Sequence, residues 1–152
     1  MNTKAQFAME YLLVIALLFT LLIPGISIYY SYSQSSLIEI STAKVADIGN
    51  SVINNAENSY YLGQGSRITL DVTMPMGITN LTINCKTDSI PPTYCELIFK
   101  MDNNEIVYST DAPLKRKGSV STYPQSFDPE DYSAGIKKII IETYDYVEID
   151  IQ

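Results

Sequence analysis

The chain has no histidine and no tryptophan, and only two cysteines, Cys85 and Cys95. Without imidazole there is no Ser-His-Asp or Cys-His nucleophilic machinery, no histidine zinc ligand and no ordinary general base near neutral pH. Two thiols cannot supply a four-thiolate zinc site, and these two lack Cys-x-x-Cys spacing. Positive charge is also scarce: ten basic residues against seventeen acidic ones leave a net charge of −7. Phosphate-backbone binding needs clustered Lys and Arg to displace counterions, so nucleic acid is not an expected partner. Asp128, Glu130 and Asp131 do not match the spacing of a calcium loop, and nothing supports them as a glycosidase pair. The chain is therefore expected not to be an enzyme and to hold no cofactor and no metal.

Charge is missing locally as well. Between Glu10 and Glu39, the 28 residues from Tyr11 to Ile38 carry none. From Tyr11 to Ile23 only Tyr11 and Thr20 have a polar side-chain atom. A helix rises about 1.5 Å per residue, so about 20 residues cover the roughly 30 Å hydrocarbon layer. The thirteen residues of that run are too few alone. The stretch 7–30, interrupted by Glu10 and by Pro24-Gly25, is long enough. Pro24 removes a backbone donor and Gly25 loosens the same turn, so the pair marks an expected kink. Tyr29, Tyr30 and Tyr32 form an aromatic cluster suited to the headgroup layer.

Past this cluster, Val45, Ile48, Val52 and Ala56 recur at three- and four-residue steps, the period of an amphipathic helix over 37–60. Gly63-Gln64-Gly65 is its expected stop. From Arg67 the period becomes two. Arg67 to Met74 alternates apolar and polar residues, as a half-buried strand does. Leu81 to Ile83, Glu96 to Met101, Ile106 to Ser109, Ile136 to Tyr144 and Tyr146 to Ile151 read as further strands, with Asp102 to Glu105 as a hairpin turn. Residues 112–131, rich in Pro, Ser and charge, read as a loop or an irregular strand. The fold class is thus α+β: a long N-terminal helix over 6–62, then a small β-rich head over 63–152. A head of that size is marginal alone and gains from a covalent staple.

The N-terminus admits three readings. A secretory signal peptide would use Lys4 as its charged region and Leu12 to Ile23 as its apolar core, but no Ala-x-Ala site follows and Glu10 stands at the entrance. A plain single-pass anchor would hold the head outside the cytoplasm. The third reading starts from Glu10. A carboxylate in a membrane helix costs roughly 2.5–3.5 kcal/mol at the centre, less near an end, and is usually functional and partnered. A chain cut between Ala5 and Gln6 would gain an α-amino group one helical turn from Glu10. That group could neutralise Glu10 of the same copy or of a neighbour.

Lys4-Ala5-Gln6-Phe7-Ala8-Met9-Glu10, leading into an apolar helix, resembles the class III signal peptide of archaeal type IV pilin-like proteins. The resemblance implies that a membrane prepilin peptidase removes residues 1–5, with Lys4, Ala5 and Gln6 read at the cut. Gln6 then becomes the mature N-terminus and Glu10 its charge partner during assembly. It also implies a head of immunoglobulin-like sandwich type, an assembly ATPase and a membrane platform as partners, and a homo-oligomeric helical filament. The protein would lie in the cell membrane first and in a surface filament afterwards. Helix breakers are common in related pilins where Pro24 and Gly25 stand here.

In an exported chain a lone cysteine pair ordinarily forms a disulfide, here Cys85 with Cys95. Asn80-Leu81-Thr82 is an N-glycosylation acceptor triplet, and the resemblance favours its use at Asn80. Lys115-Arg116-Lys117 is the one concentrated basic run, either a solvated loop or a contact for an anionic surface or for the next subunit. The twelve tyrosines suit adhesive or inter-subunit surfaces, since the ring is apolar and the hydroxyl polar. The expected function is a structural, adhesive pilus subunit. The alternatives are a minor pilin or pseudopilin acting in assembly, and a membrane-anchored extracytoplasmic binding module.

Overall fold

The computed structural model describes residues 3–86, 91–102, 104–120 and 122–152, with side chains from Met9 onward other than that of Gln34. The fold is α+β. A helix α1 (Thr3–Leu62) precedes, among the described residues, eight strands and one short helix, α2 (Pro129–Tyr132). The chain divides into two compact units, Met1–Ile40 and Ser41–Gln152.

The first unit is helical throughout its described residues, and α1 continues through Pro24 and Gly25 without interruption. Proline at 24 offers no N–H to the Thr20 carbonyl. Thr20 itself donates its hydroxyl to the Ala16 carbonyl at 2.8 Å, so no free donor is left on that turn's side chain.

The second unit begins inside the helix, at Ser41 rather than at Gly63. The reason is the apolar stripe: Val45, Ile48, Val52, Ile53 and Ala56 are all buried in the head's own core. Only the sheets can cover that stripe, so the last turns of α1 belong to the head. Gly63, with φ of 92°, then ends the helix as expected of a C-terminal glycine, and its N–H reaches the Tyr60 carbonyl at 3.2 Å.

The strands form two four-stranded sheets. One has the order β1-β7-β8-β5, built from β1 (Arg67–Met74), β7 (Gly135–Thr143), β8 (Val147–Ile151) and β5 (Leu114–Arg116). The other has the order β4-β3-β2-β6, from β4 (Glu105–Thr110), β3 (Cys95–Met101), β2 (Ile78–Cys85) and β6 (Gln125–Ser126). All pairings are antiparallel except β5 with β8. Leu81, Ile83, Leu97 and Phe99 from one sheet join Ile139, Ile141, Val147 and Ile149 from the other in a single core. Alternation along each strand sends these inward and the polar residues outward.

Two polar ties fasten the helix to both sheets, and a third joins it to Ser66 just before β1. Thr110 of β4 donates to Glu57 at 2.8 Å. The buried Ser59 hydroxyl lies 2.6 Å from that of Thr143 on β7 and 2.5 Å from that of Ser66. Cys85 and Cys95 face each other in register at the ends of β2 and β3, Cα atoms 4.0 Å apart, and are joined as a disulfide.

The basic run is not a loose loop. Leu114 to Arg116 are strand β5, and each cation is engaged: Lys115 with Glu148 at 3.6 Å, Lys117 with Glu142 at 3.4 Å and Asp150 at 3.6 Å, and Arg116 with Asp128 and Asp131. Glu142 above all, then Asp150, holds the Lys117 ammonium above its ordinary pKa. Asp131 also accepts from the Asp128 backbone N–H at 3.0 Å. Those two carboxylates therefore clasp arginine and cap α2.

Candidate functional site

The first unit presents a contiguous apolar surface larger than soluble monomers ordinarily expose. Every large apolar side chain from Met9 to Ile28 is exposed, apart from the half-buried Ile15, and none of the exposed ones is below 52 %. They are not confined to a stripe. Leu12, Leu13 and Val14 alone point in three directions about 100° apart, and Leu17, Leu18, Leu21 and Leu22 fill the rest of the circumference. A helix apolar all round is a membrane span or the centre of a bundle.

Magnitudes make the point. About a dozen such side chains, at roughly 1.5–3 kcal/mol each, forgo on the order of 20–30 kcal/mol if left in water. That exceeds the roughly 5–15 kcal/mol by which a whole domain is stable. Among the described residues this is the one helix long and apolar enough to cross a membrane. Tyr29, Tyr30 and Tyr32, all exposed, follow its most apolar part, where an interfacial aromatic belt would stand.

One face of the segment is shallower than the others. Leu13, Ala16, Leu17, Thr20 and Leu21 line a groove along the helix, floored by the small residues Ala16 and Thr20, four apart. Small residues at that spacing let another helix approach closely. The hydroxyl of Thr20 is already satisfied by the Ala16 carbonyl, so the groove offers no unpaired donor to lipid. The sequence signal for it is two small residues one turn apart in a leucine-rich run.

The side chains of Lys4, Ala5 and Gln6 lie outside the described residues. Their backbone is helical, as is that of Glu10. Helical geometry places positions 6 and 10 on one face, about 6 Å apart along the axis. Glu10 is exposed and, among the described residues, has no ion-pair partner. Asn80 lies in β2 between the bulge at Ile78/Asn80 and the buried Leu81, half-buried on the outward side of the strand. No group of three or more His, Cys, Asp or Glu that could hold a metal occurs among the described residues. In the second unit, burial and then the charge of Asp47 raise the Tyr108 pKa. Burial, with a smaller contribution from Tyr146, pushes that of Tyr123 up to about 12. Comparison with protein-family models, with curated proteins and with solved structures finds no match for this chain.

Proposed function

We propose that this protein is a type IV pilin-like subunit, cut between Ala5 and Gln6 and polymerised through its apolar N-terminal helix into a surface filament that displays the head. The observation that carries the reading is the exposure of the large apolar side chains around the whole helix from Leu12 to Ile28, Ile15 alone being half-buried. Two surroundings can cover such a rod: lipid tails, or other rods of the same kind. A cut before the apolar core leaves that core on the mature chain, so both surroundings become available in turn. Head-to-tail association that does not close then propagates as a helical fibre.

Glu10 fits the same scheme. A lone carboxylate at the entrance to an apolar helix is tolerated when a cation meets it, and a new α-amino group at Gln6 would stand one turn away. The groove along Ala16 and Thr20 gives a neighbouring helix a place to approach. Glycosylation at Asn80 and a role in adhesion belong to the same proposal.

N-terminal sequencing of the native protein tests it. A start at Gln6 is expected. A start at Met1 favours a plain anchor, and a start beyond Ser27 favours ordinary secretion. Glu10→Ala is expected to leave membrane insertion intact and to abolish or strongly reduce fibres seen by electron microscopy. Fibres at normal number from that variant would refute the charge pairing.

A further inference from the structure

Where α1 ends, the chain turns through Gly63-Gln64-Gly65 and comes to lie beside the β7–β8 connection, residues 144–146. Between them opens a cleft of about 550 Å³, inside the range of roughly 300–1,000 Å³ typical of small-molecule sites. Tyr60, Tyr144 and Tyr146 line it, together with Gln64 and Asp145, and Pro91, from the stretch before β3, adds a third side. Gln64 Nε2 donates to Asp145 Oδ1 at 3.3 Å.

Backbone bonds hold the helix-end and β7–β8 walls in place. Gly65 N–H donates to the Thr143 carbonyl at 2.8 Å, Thr143 N–H to the Ser66 carbonyl at 3.0 Å, and Tyr144 N–H to the Tyr146 carbonyl at 2.9 Å. Beneath them the buried Thr143 hydroxyl is fixed by Ser59 at 2.6 Å. The cleft is therefore built before a ligand arrives, which lowers the ordering cost of binding.

We propose that this cleft binds one or two rings of a neutral glycan. Tyrosine rings offer apolar surface to the C–H face of a pyranose and lose little conformational entropy in doing so. Asp145 and the Gln64 carbonyl oxygen accept from sugar hydroxyls, and the Gln64 amide donates. Charge selects against the other ligand classes. Asp145 in the cleft, on a chain of net charge −7, repels phosphates and acidic sugars. A cationic ligand is disfavoured because Lys115 Nζ already stands over the Tyr146 ring, 5.7 Å from its centroid. All the lining residues belong to the unit Ser41–Gln152. The site thus goes beyond the filament reading and holds whether the apolar helix ends in lipid or in a fibre.

The test uses the full chain, ¹⁵N-labelled, in a polyoxyethylene detergent that carries neither sugar nor quaternary ammonium. Glucose, galactose, mannose, N-acetylglucosamine and maltose are titrated separately to about 50 mM, enough to see millimolar Kd values. For at least one sugar, amide shifts are expected at residues 60–65 and 143–147. Tyr144→Ala and Asp145→Ala are each expected to weaken that binding roughly five- to tenfold. Both side chains are exposed, so the urea midpoint should stay put and report an intact fold. Silence from every sugar would overturn the proposal, as would sugar-induced shifts that survive both substitutions. Shifts produced by tetramethylammonium or by glucuronate, with the neutral sugars silent, would also overturn it.

Discussion

Gly49 sets two well-known effects against each other. Replacing glycine by alanine inside a helix ordinarily stabilises by about 1 kcal/mol. At Gly49 the added methyl would run into the Tyr108 ring, closest to Cε2, with Cζ at 2.5 Å and Cδ2 at 2.6 Å. The ring cannot simply swing away. It meets Phe99 edge-on, with centroids 6.1 Å apart and planes at 88°, and Phe99 is fully buried. Restoring ordinary contact at about 3.5 Å requires the ring or the helix to retreat by more than about 1 Å. Overpacking of this kind costs typically 1–3 kcal/mol, and the rigidity of the Phe99–Tyr108 pair places Gly49 toward the upper end. After the helix gain is subtracted, Gly49→Ala should leave the head about 1–2 kcal/mol less stable. Urea unfolding of the full chain in detergent, followed by near-ultraviolet circular dichroism of the tyrosines, measures this as a lower midpoint at unchanged slope. Asn54→Ala, on the exposed side of the same turns, is the control and should be neutral or slightly stabilising. In a Tyr108→Ala background the sign should reverse, with Gly49→Ala stabilising by about 1 kcal/mol. A Gly49→Ala protein as stable as its parent, with Tyr108 present, would show that the helix does not rest on that ring.

Three further outcomes follow from the head. Ser59→Ala removes the buried hydroxyl shared by Thr143 and Ser66 and should cost about 1–3 kcal/mol in the same urea assay, because the Thr143 hydroxyl is left short of a partner. Replacing Cys85 and Cys95 together by Ala reopens a loop of sequence separation 10 and should cost about 3 kcal/mol by loop-closure entropy, read as a difference in urea midpoint. Tyr123 ionises at about 12 in the folded head, against 10.0 when free. The stability it contributes is complete below pH 10.0 and is lost as the pH climbs toward about 12. Tyr108 and Lys117, both also raised, act in the same alkaline direction. Tyr123→Phe should flatten that part of the stability profile, and a profile unchanged by the substitution would count against the assignment.

Much of the architecture could be read from periodicity because the head is built from local rules. The alternation from Arg67 to Met74 became β1 with the same ends, and the runs before and after Tyr144 became β7 and β8. The helical spacing of Val45, Ile48, Val52 and Ala56 marked the face that is buried. What composition could not reveal was distance along the chain. Lys115, Arg116 and Lys117 sit in a stretch that reads as either a loop or an irregular strand, and Leu114 to Arg116 form a strand because β8 lies alongside in parallel. The partners Glu142, Glu148 and Asp150 arrive from some 30 residues away. The exposed apolar helix was legible, since a long charge-free run needs no tertiary partner to be recognised. The tyrosine cleft was not, because Gln64 and Asp145 meet across 81 positions, and a two-residue contact at that range leaves no trace in either neighbourhood.

The burial of α1 from Val45 to Ser59 within the head has a mechanical consequence. Tension delivered along the helix axis does not arrive at a hinge that can be peeled open one bond at a time. It is carried sideways, as shear, into the apolar stripe and into two anchor points, Glu57 on Thr110 and Ser59 on Thr143. These lie on strands of opposite sheets, so a pull strains both halves of the sandwich together, and they must give way as one.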